Sequence, residues 1–162
     1  MKSVVIALFL ILVLAVGLPG CSGGNKTTTA AAAPEVTAGE PVSVVLTFPD
    51  GAPKLNESQT FKCAVISHSA VDKKISITIN APETAFVLGS GSLSWSGTVT
   101  ANSEATVIQA TLKANHTGHW QIDANYHIDS EPDGYTGDFT STIYVNLSVA
   151  VSQWGTTPPW EK

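Results

Sequence analysis

The segment GHWQIDANYHID, residues 118–129, alternates apolar and polar side chains without interruption. Successive side chains of an extended strand point to opposite faces, so a period of two predicts a strand with one buried face. The segment therefore favours an all-β fold. Its predicted inward-facing side chains are Trp120, Ile122, Ala124, Tyr126 and Ile128.

The same alternation recurs on both sides of this segment. No stretch after the first twenty residues repeats apolar positions at helical spacing, and turn residues separate the alternating stretches. We expect residues 41–152 to form an immunoglobulin-like β-sandwich of seven to eight antiparallel strands, with a closed barrel as the alternative. The stretches that predict strands are VSVVLTF (42–48), QTFKCAVISHS (59–69), KKISITINA (73–81), SEATVIQATLKAN (103–115) and GDFTSTIYVNLSVAVS (137–152). A further stretch, AFVLGSGSLSWSG (85–97), holds a short apolar piece and a Gly-Ser turn before Leu93 and Trp95.

The N-terminus has the pattern of a secretory leader. Lys2 precedes an uncharged apolar run, 4–18, which at about 15 residues is shorter than the roughly 20 needed to span a bilayer. The motif that follows, Leu18-Pro19-Gly20-Cys21, resembles the lipobox of bacterial lipoproteins. The resemblance implies that residues 1–20 are a signal peptide and that Cys21 becomes the lipidated first residue. An ordinary secreted protein and an uncleaved N-terminal anchor are the alternatives.

The lipobox resemblance also implies a location. Several acyl chains on Cys21 would hold the protein durably at the cell membrane, outside the cytoplasm. Ser22 after the cysteine, in place of Asp, favours the outer membrane in an organism that has two membranes. Residues 21–40 are small, polar and low in complexity, and predict a flexible tether with a span of roughly 25 Å.

The net charge and the absence of arginine argue against some classes of binding partner. The chain has 162 residues and a net charge of −5, and all eight of its basic residues are lysines. An acidic chain without arginine is a poor candidate for binding nucleic acid or for recognising phosphate tightly. With Cys21 lipidated, Cys63 has no disulfide partner in the chain, and its place among alternating apolar residues predicts a buried core thiol over a reactive one.

Residues 89–126 suggest a particular kind of sandwich. Leu93 and Trp95 precede Gly97, a turn and an alternating strand follow, and Gly118-His119-Trp120 opens the next strand. This arrangement resembles the second half of Ig-like domains in bacterial and archaeal surface proteins, including the CARDB (cell-adhesion-related) type. The resemblance implies a sandwich that presents loops for binding, and it names no ligand.

The most polar loop is DSEPDGYTGD, residues 129–138. It carries four carboxylates within ten residues, and hard oxygen ligands are what Ca²⁺ requires. The loop therefore predicts a calcium site, and a solvated turn between two long strands is the alternative. The candidate ligands are Asp129, Glu131, Asp133 and Asp138.

The sequence offers few other candidates for metal binding or catalysis. His116 and His119 supply at most half of a metal site, and His119, Asp123 and His127 share a strand face at steps of about 13 Å, too far apart for one ion. No nucleophile is paired with a base in a known motif, so we expect no enzymatic activity and no cofactor besides calcium.

The C-terminal tail, residues 153–162, contains Trp154 and Trp160, and either folds back on the sandwich or contacts a partner. The sequence as a whole predicts a membrane-anchored extracytoplasmic lipoprotein with a binding or structural role at the cell envelope. Its expected partner, besides the membrane, is an envelope protein or a glycan. The alternative is a calcium- or ligand-binding accessory subunit of an envelope complex.

Overall fold

The computed structural model describes residues 40–129 and 134–161, and within these ranges the regular structure consists of nine β-strands. The predicted leader, the lipidation residue Cys21 and all but the last residue of the predicted tether lie outside the described residues. The strands are β1 (Val42–Thr47), β2 (Ser58–Ser67), β3 (Lys73–Asn80), β4 (Phe86–Gly91), β5 (Ser94–Val99), β6 (Glu104–Ala114), β7 (Gly118–Ile128), β8 (Gly137–Leu147) and β9 (Gln153–Gly155).

The strands form two antiparallel sheets. A four-stranded sheet has the order β1-β2-β6-β4, and a five-stranded sheet has the order β5-β3-β7-β8-β9. The prediction of an all-β sandwich is confirmed, and the strands do not close into a single barrel. The ninth strand is the three-residue β9, which lies in the segment that the sequence interpretation treats as tail.

The core lies between the sheets, where the inward faces of the strands meet. The alternation seen in the sequence reappears as alternating burial: every second side chain of β3 is buried, and β7 is buried at Ile122, Ala124, Tyr126 and Ile128. Trp95 and Trp120 pack against this core while remaining half-buried. The pattern that predicts the strands therefore also predicts which of their faces make the core.

Long-range contacts join the last two strands to β1 and to Phe48, which directly follows it. The Ser141 hydroxyl of β8 donates a 2.7 Å hydrogen bond to the Val44 carbonyl oxygen of β1, which joins the two sheets along one edge. Beyond β8, Trp154 of β9 packs edge-to-face on Phe48 with ring centroids 6.0 Å apart. Of the two predictions for the tail, folding back on the sandwich is the one that the structure shows.

The sandwich has two ends of different character. The tether end is where β1 begins, and it carries the connections 68–72 and 100–103 together with Asp129 and residues 134–136. There the amide of His68 donates to Pro41 O at 2.8 Å, and the amide of Asn102 donates to Ser69 O at 3.0 Å. The far end carries the connections 48–57, 81–85, 115–117 and 148–152. There the amide of Asn115 donates to Ala85 O at 2.8 Å.

In the part of the chain that the structure describes, no helix is long and apolar enough to span a bilayer.

Candidate functional site

The described residues of the predicted calcium loop, Asp129 and 134–138, lie at the tether end, where β7 ends and β8 begins. Asp129 and Asp138 flank the imidazole of His127: Asp138 Oδ1 is 2.8 Å from Nδ1, and Asp129 Oδ1 is 3.5 Å from Nε2. The other two candidate ligands, Glu131 and Asp133, lie outside the described residues. Within residues 40–129 and 134–161 no group of three or more His, Cys, Asp and Glu side chains is arranged to hold a metal ion.

The histidines of β7 and of the turn before it are used in different ways. His119 stacks face to face on Trp160, with ring centroids 4.2 Å apart and planes 4° from parallel. The carbonyl oxygen of His116 accepts a hydrogen bond from Trp120 Nε1 at 3.2 Å. His119 therefore holds the C-terminal tail against the outer face of the five-stranded sheet.

Two side chains that carry titratable groups are fully buried. Cys63 has no exposed surface, so the prediction of a buried core thiol is confirmed, and burial raises the pKa of this thiol to about 12. Lys73 is also fully buried, at the start of β3 on the same face as Ile75. The sequence interpretation missed this lysine, although the alternation of β3 already puts it in phase with Ile75, Ile77 and Ile79.

A groove lies at the far end, where the chain leaves β3 and crosses to β4 in the other sheet. Its volume is about 740 Å³. Its exposed lining is about half apolar and half polar, and the apolar lining residues are Ile79, Ala81, Pro82, Phe86, Val87, Leu88, Leu93 and Leu112.

Part of this apolar lining is open to solvent. Val87 and Leu88 are 46% and 43% exposed, while Phe86 beside them is buried. The Ile79 amide donates to Leu93 O at 2.7 Å and holds Leu93 at the opposite wall. Gly91 supplies the turn between the walls: its φ is +85°, and a Cβ there would lie 2.5 Å from Gln109 O, so this turn requires glycine.

The rim of the groove is polar and carries negative charge. Asp123 accepts hydrogen bonds from the Thr142 hydroxyl at 2.6 Å and from Gln121 Nε2 at 2.8 and 3.0 Å. Glu83 lies on a turn in which Pro82 O accepts from the amides of Ala85 and Phe86, both at 2.9 Å. The polar lining residues are Asn80, Glu83, Gln121 and Asp123, and none of the lining residues is basic.

One feature of the sequence indicates exposed apolar surface at this groove. Three consecutive apolar residues, Phe86 to Leu88, break the period of two, and a strand with one buried face has room for only every second one of them. The position of Asp123 on the same rim could not be foreseen, because it depends on which strand lies beside β3.

Comparison with known proteins identifies the class of fold. No protein-family model matches the chain, and no curated protein matches it. Among solved structures, native α2-macroglobulin of Escherichia coli matches with a TM-score of 0.57 and 14% identity over 68% of this chain. A second structure of that protein, spanning domain MG7 to the C-terminus, gives the same three values.

The match concerns fold alone, because the identity is low and this chain spans only 7% and 17% of the two α2-macroglobulin chains. The solution structure of a lipoprotein from Bacteroides thetaiotaomicron is also similar, at a TM-score of 0.36 and 15% identity over 67% of this chain and 82% of that one. A TM-score this low carries no argument. The described residues form an immunoglobulin-like β-sandwich.

Proposed function

We propose that this chain is a lipid-anchored extracytoplasmic lipoprotein whose β-sandwich serves a binding role at the cell envelope. The observation that carries the proposal is the leader, in which a basic residue and an apolar run end in Leu18-Pro19-Gly20-Cys21.

The arrangement of the domain supports a binding role. The chain joins the sandwich at the tether end, while the open groove lies at the far end, so an anchor at Cys21 leaves the groove clear of the attachment point. The tether span of roughly 25 Å would keep the domain near the membrane surface without fixing its orientation. An envelope protein or a glycan as partner stays a prediction.

Anchoring can be tested with the chain's two cysteines as a matched pair. The full chain is expressed in a bacterial host with labelled palmitate, next to Cys21→Ala and Cys63→Ala. We expect label in the wild type and in Cys63→Ala, and none in Cys21→Ala, because only Cys21 directly follows the leader. Label that survives in Cys21→Ala, or a mature N-terminus beyond residue 21, would contradict the proposal.

A further inference from the structure

We propose that the far-end groove binds a small molecule that combines an apolar body with a protonated amine. This inference rests on the proposed binding role and deepens it by naming the class of ligand. It does not rest on the lipid anchor, since everything that carries it lies between Ile79 and Thr142.

The exposed apolar side chains of the groove are the reason to expect an apolar part in the ligand. Val87 and Leu88 leave nearly half of their surface in water, and they stand beside the half-buried Leu93 and the buried Phe86 and Leu112. An apolar ligand that covers Val87, Leu88 and Leu93 removes both its own surface and theirs from water, which is the main source of affinity in such sites. The volume of about 740 Å³ suits a small organic molecule.

The two carboxylates at the rim of the groove are the reason to expect a protonated amine in the ligand. Glu83 and Asp123 both line the groove, and among the described residues neither forms an ion pair with a lysine or a histidine. No basic side chain is among the lining residues, and Lys113, opposite Val87 in the register of β4 and β6, lies outside the lining. A cation at the rim would be attracted to both carboxylates, and an anion of the same shape would be repelled.

The carboxylate of Asp123 is already oriented before a ligand binds. Its carboxylate is held in one orientation by Thr142 from β8 and by Gln121 from its own strand. A ligand therefore meets a charge that is already ordered, and binding does not have to immobilise it. Asn80, opposite Asp123 in the register of β3 and β7, adds an amide for hydrogen bonding on the same rim.

The test compares three probes of equal length: octylamine, 1-octanol and octanoate. Each is titrated into the protein from Ser22 onward, which contains all nine strands and the whole core, and backbone amide NMR shifts report both affinity and location. We expect shifts confined to the groove, and octylamine to bind about threefold to tenfold more tightly than octanol, with octanoate the weakest. Added salt should remove most of the advantage of the amine.

Charge variants identify the groups responsible. Glu83→Gln combined with Asp123→Asn should reduce octylamine to the affinity of octanol, and Glu83→Gln alone should reduce its advantage in part. The matched control is Glu104→Gln, an exposed carboxylate at the tether end, which should change nothing. Leu88→Ser should weaken all three probes alike, because it shortens the apolar wall.

The inference is overturned if octanoate binds as tightly as octylamine, if the shifts lie outside the groove, or if no probe binds at low millimolar concentration. Since Glu83 is exposed on a turn, its single variant is expected to fold, and it decides the question even if Asp123→Asn does not. Failure here leaves the palmitate result unaffected, so the two proposals can fail separately.

Discussion

The buried thiol of Cys63 should make the protein lose stability in mild alkali. Burial raises the pKa of this thiol from its ordinary value of 9.0 to about 12. Below about pH 9 both the folded and the unfolded protein keep the thiol neutral, and the full stability is present. As pH rises through this window, the unfolded chain releases the proton while the folded protein retains it, and ionisation pulls the equilibrium toward unfolding.

The size of the effect follows from the two pKa values. One pKa unit corresponds to about 1.36 kcal/mol, and about pH 10.5 lies roughly 1.5 units above the value for the unfolded chain. The thiol should therefore lower the free energy of unfolding by about 2 kcal/mol between about pH 8 and about pH 10.5.

Urea denaturation followed by tryptophan fluorescence measures this loss in the protein from Ser22 onward. Other groups also titrate in alkali, so the informative quantity is the difference between the wild type and Cys63→Ala, which lacks the thiol. We expect the variant to lose about 2 kcal/mol less than the wild type over the same pH interval. Equal losses in both proteins, or rapid modification of Cys63 by a thiol reagent in the native state, would refute the reasoning.

Three further predictions concern the core, the joined sheets and the acidic loop. Phe61→Ala should lower the free energy of unfolding by about 3–5 kcal/mol in urea denaturation, because Phe61 is fully buried, whereas the exposed Val151→Ser should change it by less than about 0.5 kcal/mol. Ser141→Ala should lower it by about 1 kcal/mol through loss of the bond between the sheets, with the outward-facing Ser96→Ala as an unaffected control. The calcium hypothesis predicts heat on titration with millimolar calcium that disappears in Asp129→Asn, and the absence of heat in the wild type rejects the site.

Much of the sandwich could be predicted because a strand with one buried face has an apolar side chain at every second position. Ile75, Ile77 and Ile79 are inward-facing in the sequence pattern and buried in the structure. Short elements were harder to predict: β9 has only three residues, too few for a pattern of alternation, and it forms because β8 offers an edge and Phe48 offers a ring for Trp154.

The candidate site was not predicted as a site, although its residues were visible. Glu83, Leu88 and Asp123 come from three different segments of the chain, and none of them belongs to a motif. The sequence instead drew attention to the acidic loop, where carboxylates are close together along the chain. Residues that are close along the chain can be found from the sequence, whereas residues that only the packing of two sheets brings together cannot.

By itself the sequence determined the all-β class, the inward face of each long strand and the leader-like N-terminus, since each of these depends on local periodicity or on a contiguous motif. Only the tertiary structure decided that Ser141 meets Val44, that the tail returns to Phe48, and that an acidic, apolar groove opens opposite the tether. Those contacts depend on the order of the strands and on where the connection after Asn80 crosses between sheets. Strand order is fixed by how the faces of distant segments pack together, and no local stretch of sequence carries that information.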